Sequence, residues 1–290
     1  VSVEVQNAAL VGSDATVAPD RKPGVIGGAF QPLTLEQFLN SMPTTSNAIE
    51  YTRESSFTNN AAEVAEGSAS AESTPAFELK VMPISNVTHD TPITKQLAAD
   101  NASLAAYINT RMAYGVNLKV EQQLAVGNGT APNISGLLDA GNFTAHGYSA
   151  ANLGATLPKH VLIRKMIGDA WAAGYPVDGI VMNPVDFATL EIEALITSAG
   201  QSRVSVNAMG QPTVFGVPVV QSIGITADTI LVGAFGQSAT VHNRQGVMIE
   251  MSDSHGSNFT SDIITIKASR RLALTVERPA GILAGDLTPA

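Results

Sequence analysis

Histidine, a side chain that can bind metals and exchange protons near neutral pH, occurs five times among the 290 residues. The five are scattered along the chain, and none stands at a spacing typical of metal ligands: His89, His146, His160, His242 and His255. The chain has no cysteine, which excludes disulfides, thiolate metal sites and a cysteine nucleophile. The motifs GxSxG, HExxH and CxxC do not occur either. The sequence therefore predicts no catalytic centre, no metal site and no cofactor.

Two glycine-containing loops have only part of a ligand-binding pattern. The segment GNGTAP at 127–132 lacks the Lys followed by Ser or Thr that a phosphate-binding loop requires. The loop that starts at Asp253 has the small polar residues of a calcium loop. No Glu follows Phe259 where such a loop supplies its bidentate ligand. Both segments are therefore interpreted as turns.

Charged residues that could join one chain to another form a second kind of candidate site. Glu63, Glu66 and Glu72 lie in a polar segment, 58–76, that contains no Lys or Arg. Arg270 and Arg271 are adjacent cations near the C-terminus, and Arg53 is a further cation close to the acidic segment. An ion pair between the acidic segment of one chain and the arginines of another would hold the two together. The alternative is that the arginines are solvated or paired within their own chain.

The acidic segment lies at the tip of a predicted hairpin that spans Asn47–Thr91. Apolar and polar residues alternate over 49–58 and again over 77–81, which is typical of half-buried strands. Arms of about ten residues would each extend about 30 Å, although a compact chain of this length has a radius of gyration of about 19 Å. The hairpin therefore lies along its own body, lies on a neighbouring molecule, or is an ordinary mobile surface hairpin.

The overall composition agrees with extensive protein contacts. Charged residues make up 14% of the chain and hydrophobic residues 44%, whereas about 25% of residues are charged in a typical soluble protein. Low charge with ordinary apolar content indicates that much of the surface meets other protein. The formal net charge of −9 disfavours a protein that coats nucleic acid, but not one that encloses it. No apolar run is long enough to span a membrane.

Helices and strands alternate along the rest of the chain. A short helix is predicted over Leu33–Met42, a long one over 93–126 and another over 159–173. Short buried strands are predicted at 179–182, 216–220 and 229–235, and long strands at 247–251 and over 262–278. We expect the long strands to form a sheet that packs against the long helix. The predicted fold class is α+β.

The chain resembles the major capsid proteins of tailed phages with the Hong Kong 97 fold. The matching segments occur in the family's order and cover almost the whole chain: SNAIEYTRESSFTNNAAEVAEG, LAAYINTRMAYGVNLKVEQQLAVGNGT, ISGLL, GIVMNP, GVPVV, RRLAL and ERPAGI. No single segment is specific, but the ordered set is.

The resemblance implies five parts. These are an extended N-terminal arm at 1–32, a short helix and connection at 33–46, an extended hairpin called the E-loop at 47–92, a peripheral domain at 93–139 and 241–290 with a spine helix and long β-strands, and an axial α/β domain at 140–240. It also implies that a precursor segment before Val1 was removed by a protease, which fits a chain that begins without Met.

The founding member of the family joins its subunits covalently, through an E-loop Lys that attacks an Asn in a neighbouring peripheral domain, helped by a Glu. The positions that match these three residues are Ser70, Asp262 and Ser269. A hydroxyl does not replace the amine nucleophile, and a carboxylate is a poor acyl donor. We therefore expect a shell without covalent cross-links.

The function that the resemblance implies is that of a non-enzymatic subunit of an icosahedral head. The expected assembly is made of pentamers and hexamers of this chain, encloses double-stranded DNA without sequence-specific binding, and includes a portal protein and, as an option, a decoration or cement protein. The expected location is the virion, after assembly in the host cytoplasm.

Two alternatives are kept. One is an encapsulin-type nanocompartment that encloses protein cargo; the absence of an amphipathic cargo-docking helix from the N-terminal arm argues against it. The other is an enzyme with a mobile lid at 58–76, which predicts a small oligomer and a deep polar pocket.

Overall fold

The computed structural model describes residues 26–100, 102–149, 158–196, 204–206 and 210–288. The predicted N-terminal arm therefore lies outside the described residues as far as residue 25. The predicted α+β class is confirmed by the elements, which include both helices and strands.

The N-terminal half supplies the hairpin and the long helix. Its elements are α1 (Leu35–Phe38), β1 (Asn40–Pro43), β2 (Ala48–Thr58), β3 (Thr74–Pro83), β4 (Ser85–Thr94), α2 (Lys95–Asp100), α3 (Ala102–Val126) and β5 (Thr144–Ala145).

The C-terminal half alternates short strands with helices and ends in long strands. Its elements are α4 (Lys159–Ala172), β6 (Gly179–Met182), α5 (Pro184–Ile196), β7 (Val204–Val206), β8 (Pro212–Val214), β9 (Val217–Gln221), β10 (Thr229–Gly233), α6 (Phe235–Ser238), β11 (Ala239–Ser252), β12 (Ile263–Val276), a 3₁₀ turn (Pro279–Gly281) and β13 (Ile282–Asp286).

A four-stranded sheet with the order β1-β11-β12-β4 carries the long helix α3 on one face. β1 runs parallel to β11, and the other pairs are antiparallel. Val116, Val120 and Leu124 of α3 are fully buried against Leu272 and Leu274 of β12. The predicted packing of the long strands against the long helix is confirmed.

The second sheet has seven strands in the order β5-β13-β10-β6-β9-β8-β7. Its central strand β6 is GIVM, buried at every position, as expected for a strand covered on both faces. The helix α4 packs Leu162, Ile163 and Met166 against one face, where they join Ile180 and Ile230 in a core of their own.

The hairpin β2–β3 forms a sheet by itself. Its register runs from Ala48 opposite Pro83 to Thr58 opposite Thr74, with a bulge between Glu54 and Ser56. β2 ends at Thr58, where the alternation predicted, but β3 begins at Thr74, three residues earlier than predicted, so residues 59–73 of the hairpin lack strand pairing.

The structure differs from the predictions around both ends of the hairpin. The helix predicted over Leu33–Met42 is limited to α1, and residues 40–43 form β1 because they pair with β11. Residues 85–94, which the prediction divided between the E-loop and the long helix, form β4 and pair with β12. The first helix after β4 is therefore α2, which begins at Lys95, and α3 begins at Ala102.

β4 packs closely against α3 at His89. The His89 Nε2 lies 2.9 Å from the carbonyl oxygen of Met112. A Cβ at residue 115 would lie 2.8 Å from the His89 ring, so Gly115 is needed inside the helix for this contact.

The C-terminal strands also differ from the prediction. β11 begins at Ala239, eight residues before the predicted 247, and most of the added length pairs with β1 or β12. Residues 282–286, for which no strand is predicted and which the resemblance assigns to the peripheral part at 241–290, form β13. It instead pairs with β10 in the seven-stranded sheet, so the chain returns to that sheet at its end.

Candidate assembly surfaces

One face of the hairpin lies towards the body of the subunit. Tyr51 donates a hydrogen bond from its hydroxyl to the carbonyl oxygen of Val276, at 3.0 Å, and Arg53 donates to the carbonyl oxygen of Gly141, at 3.4 Å. Burial has the largest effect on the pKa of the Tyr51 hydroxyl and raises it above its usual value. These contacts attach the hairpin near its base.

The other face of the hairpin carries an apolar row. Phe77, Leu79 and Val81 are 66%, 64% and 48% exposed. They stand opposite Glu54, Thr52 and Glu50 of β2. A row of large apolar side chains on an exposed strand is expected to be covered by another surface, so this face is a candidate contact with a second molecule.

The charges at the middle of the hairpin are paired within it. Glu78 accepts from Arg53 at 3.1 Å and from Lys80 at 2.5 Å. The hydrogen bond from Lys80, with a smaller contribution from Arg53, holds the pKa of the Glu78 carboxyl below its usual value. Arg53 was a candidate for contact with another chain, and its guanidinium is already engaged in its own hairpin.

The tip presents the predicted acidic residues to solvent. Glu63, Glu66 and Glu72 are exposed, and none of them has an ion pair with any described residue. Asn60 closes the base of the tip, since its side-chain amide donates to the Glu72 carbonyl oxygen at 2.7 Å. The three carboxylates remain available for a cationic partner, which stays a prediction.

The adjacent arginines Arg270 and Arg271 have different environments. Arg270 is 8% exposed and forms a bidentate ion pair with Glu36 of α1. It also donates to Asn117 of α3 at 3.0 Å and to Asn243 of β11 at 2.8 Å. Arg270 is therefore paired within its own chain, which was the alternative expectation from the sequence, and its charge is not presented to the hairpin tip of a neighbour.

Arg271 points to the other face of β12. It is half-buried and donates to the side-chain oxygen of Asn47, at 3.3 Å, near the start of the hairpin. Its charge has no carboxylate partner within the described residues, so Arg271 remains a candidate for contact with another chain.

The three positions that match the family's cross-link chemistry lie on different elements. Ser70 is exposed in the tip. Asp262 is exposed just before β12, with a positive φ of 51°, and its carbonyl oxygen accepts from the Lys95 backbone N–H. Ser269 is 9% exposed and pairs with Thr88 and Met248. Ser70 is not the amine, Asp262 is not the amide and Ser269 is not the carboxylate that the matched positions require.

Sequence reasoning missed a buried carboxylate on the long helix. Glu121 of α3 is only 1% exposed, although glutamate side chains are almost never fully buried unless they are paired. Its Oε1 accepts from the Leu35 backbone N–H at 2.9 Å and from the Ser222 hydroxyl at 2.7 Å. It thus joins α3 to the start of α1 and to the end of β9.

The segment before α1 runs along a stripe of α3 formed by Tyr107, Tyr114 and Glu121. Gln31 donates its backbone N–H to the Tyr114 hydroxyl at 2.8 Å, and the rings of Phe30 and Tyr114 meet edge to face at 4.7 Å. Tyr107, Tyr114 and Glu121 are spaced by seven residues, and this spacing was the signal that could have identified the stripe.

The alternative of an enzyme with a lid at 58–76 predicts a deep polar pocket. A cleft of about 360 Å³ does lie beside the hairpin. It is at the base, however, between residues 80–83, the loop at 128–135 and residues 273–274, and no residue of the tip lines it. In the described part of the chain, no group of three or more His, Asp or Glu residues could hold a metal ion. No helix of that part is long and apolar enough to cross a membrane.

Comparison with known proteins gives matches along nearly the whole chain. Residues 14–287 match the phage capsid family. The major capsid protein of Enterobacteria phage HK97 is 33% identical over an alignment 287 residues long, which covers 96% of this chain and 72% of that protein.

Solved structures give the same picture of the fold. The capsid of a native GTA particle matches with a TM-score of 0.67 at 17% identity, over 98% of this chain and 100% of that one. A structure from Mycobacterium phage Bobi has a TM-score of 0.67 at 15% identity, over 92% and 94% of the two chains. A structure of the major capsid and decoration proteins of phage G has a TM-score of 0.67 at 12% identity, over 96% and 98%.

Proposed function

The chain belongs to the phage capsid family, and from this premise we propose how it holds a shell together. It is a major capsid protein that forms the head shell of a tailed phage, with the Hong Kong 97 fold. In the proposal, each subunit is attached to its neighbours by non-covalent contacts of the hairpin and of the N-terminal arm. Its relatives are structural proteins, and no enzymatic step is part of the proposal.

The observation that carries this proposal is the hairpin with its exposed apolar row. An isolated two-stranded hairpin is marginally stable in water, and this one is attached to its own body mainly near Tyr51 and Arg53. Phe77, Leu79 and Val81 face away from those attachments. Contact with a neighbouring subunit would bury these three side chains. The extended hairpin would thereby enlarge the interface between subunits beyond what a compact subunit offers.

The net charge of −9 supports a shell that encloses double-stranded DNA without gripping it, since affinity for phosphates requires clustered cations. Pentamers and hexamers of the chain, a portal protein and assembly in the host cytoplasm belong to the same proposal. A decoration protein fits it as well, because the related phage G structure contains one.

Particles made from this chain are expected to be closed shells in the electron microscope and to run as single chains after boiling in denaturant. The reason is that Ser70, Asp262 and Ser269 cannot form the family's isopeptide bond. Denaturing gel electrophoresis of purified particles measures this directly. A ladder of linked chains would contradict the non-covalent proposal, whereas an absence of any particles would contradict the proposed function.

Replacing Glu63, Glu66 and Glu72 together with Gln is expected to lower particle yield, most strongly at low salt. If the tip contacts a cation of the neighbour, such as Arg271, the substitution removes an attraction that salt screens over about 8–10 Å at physiological ionic strength. Light scattering during assembly at several salt concentrations measures the effect.

A matched control for the tip variant removes the same number of charges elsewhere, with Asp90→Asn, Glu191→Gln and Glu250→Gln. All three side chains are exposed outside the hairpin. If the tip variant assembles like the control at every salt concentration, the tip is a spacer and makes no ionic contact.

A further inference from the structure

The two outer edges of the hairpin differ in what they offer a second strand. Opposite residues of an antiparallel pair alternately exchange hydrogen bonds and turn their backbone groups outward. The Ile84 N–H donates to the Asn47 carbonyl oxygen, so these two residues form a hydrogen-bonded pair. Ile49, two residues after Asn47, stands opposite Met82, and these two form the next hydrogen-bonded pair. The even-numbered residues of β3 therefore bond to β2. Phe77, Leu79 and Val81 turn their N–H and C=O groups to the open edge.

Two prolines bound this open stretch of β3. Pro75 and Pro83 have the same parity as Leu79, so their missing N–H groups also belong to the outer edge, where proline is tolerated in sheets. A strand that pairs with this edge can thus form full hydrogen bonds only between residues 77 and 81. The exposed apolar side chains are those of the same residues, 66%, 64% and 48% exposed.

The sequence of this stretch, Phe-Glu-Leu-Lys-Val, is complementary to itself when two copies run antiparallel about Leu79. In that register Phe77 faces Val81 of the second copy, and Leu79 faces its own counterpart. On the opposite face, Glu78 stands directly across from Lys80 of the second copy, and Lys80 from its Glu78. Opposite charges at directly facing positions stabilise a strand pair.

The outer edge of β2 lacks this property. By the same alternation its outward residues are Glu50, Thr52 and Glu54. Antiparallel pairing of two copies about Thr52 would place Glu50 against Glu54 of the second copy twice, and like charges at facing positions destabilise a pair. Charged residues on an edge are a common means of preventing edge-to-edge association. The hairpin therefore has one blocked edge and one self-complementary edge.

We propose that the β3 edge pairs with the β3 edge of a second copy of this chain, antiparallel and centred on Leu79. Two hairpins then form one continuous four-stranded sheet. One face of it gathers Phe77, Leu79 and Val81 from both copies. The other carries a row of alternating charge from Arg53 through Glu78 to Lys80 of the second copy. The pairing rests on the proposed shell function and specifies one contact of the hairpin.

Cysteine cross-linking tests the register. The chain has no cysteine, so Leu79→Cys introduces a single thiol. Facing residues of a bonded pair have Cα atoms about 5.5 Å apart, within the roughly 4.4–6.8 Å that a disulfide spans. Mild oxidation of assembled Leu79→Cys particles is expected to shift most of the chain to the mass of a dimer.

The control for register is Phe77→Cys. Two copies of residue 77 would be four residues apart along the pair, about 13 Å, which is beyond the reach of a disulfide. Phe77→Cys and Val81→Cys particles are each expected to remain monomeric on the gel, whereas particles assembled from a mixture of the two are expected to give dimers. Cross-linking of Phe77→Cys alone would overturn the register.

A charge exchange in the Leu79→Cys background provides the second test. With Glu78→Lys, residues 78 and 80 are both cationic, and with Lys80→Glu both are anionic. Each variant alone is expected to lose most of the dimer, while an equal mixture is expected to recover it, because each cation then faces an anion.

The outcomes separate this pairing from the function on which it rests. If Leu79→Cys forms shells that yield no dimer, the pairing is wrong and the shell function stands. If the unaltered chain forms no shells, the proposed function fails first. Dimer formation that is indifferent to the charge variants would overturn the self-complementary register.

Discussion

Replacing Glu36 with Ala is expected to lower the free energy of unfolding of the unassembled subunit by about 3 kcal/mol. The change removes the carboxylate that neutralises Arg270, a side chain 8% exposed beneath α1 and α3. Asn117 and Asn243 would still accept hydrogen bonds from the guanidinium, but the charge would be left in the interior without a counterion. Urea denaturation of the subunit measures the change.

The matched control is Glu54→Ala on the exposed strand of the hairpin, for which a change within about 0.5 kcal/mol is expected. A double variant, Glu36→Leu with Arg270→Met, is expected to recover most of the loss, because replacing both members of a buried pair by apolar residues is often neutral or stabilising. If Glu36→Ala costs no more than the control, the ion pair does not contribute to subunit stability.

Replacing Leu124 with Ala is expected to destabilise the subunit by about 3 kcal/mol, within the usual range of about 2–5 for a buried leucine. Leu124 is fully buried on α3, in the core that the helix shares with the long strands. The loss combines the transfer free energy of the removed carbons with the cavity that remains. Thermal or urea unfolding of the subunit reports it.

Leu79→Ala is the control with the same chemistry in the opposite environment. Leu79 is 64% exposed on the hairpin, so the stability of the subunit is expected to change by less than about 0.5 kcal/mol. Its effect is expected in particle yield instead. A large loss of subunit stability from Leu79→Ala would mean that the hairpin face is covered by its own body, contrary to the proposed role in assembly.

The hairpin and the long helix were predictable because their signals are local. Side chains of a strand alternate every two residues, and those of a helix repeat every three or four, so residues 49–58, 77–81 and 104–118 carried their patterns within short windows. Buried strands such as β6 were equally visible as short apolar runs. The ordered set of family segments then linked these elements to a known fold.

Strand β4 was not predictable in this way. Its sequence, SNVTHDTPIT, has few apolar residues and contains a proline, because one face is exposed and one edge is unpaired. Its strand character depends on β12, with which it pairs residue by residue across a long stretch of chain. The same dependence on a distant partner strand explains why β13 and the first part of β11 were not predicted as strands.

The amino-acid sequence by itself determined the α+β class, the family and the hairpin, since residue identity and local periodicity suffice for each. Only the tertiary structure decided which charged side chains are buried and paired inside the subunit and which remain exposed for contacts in the assembly. Glu121 and Arg270 look like surface charges in the sequence, and their partners lie far away along the chain. Burial and pairing of a charge depend on that folded neighbourhood, which no short window of sequence contains.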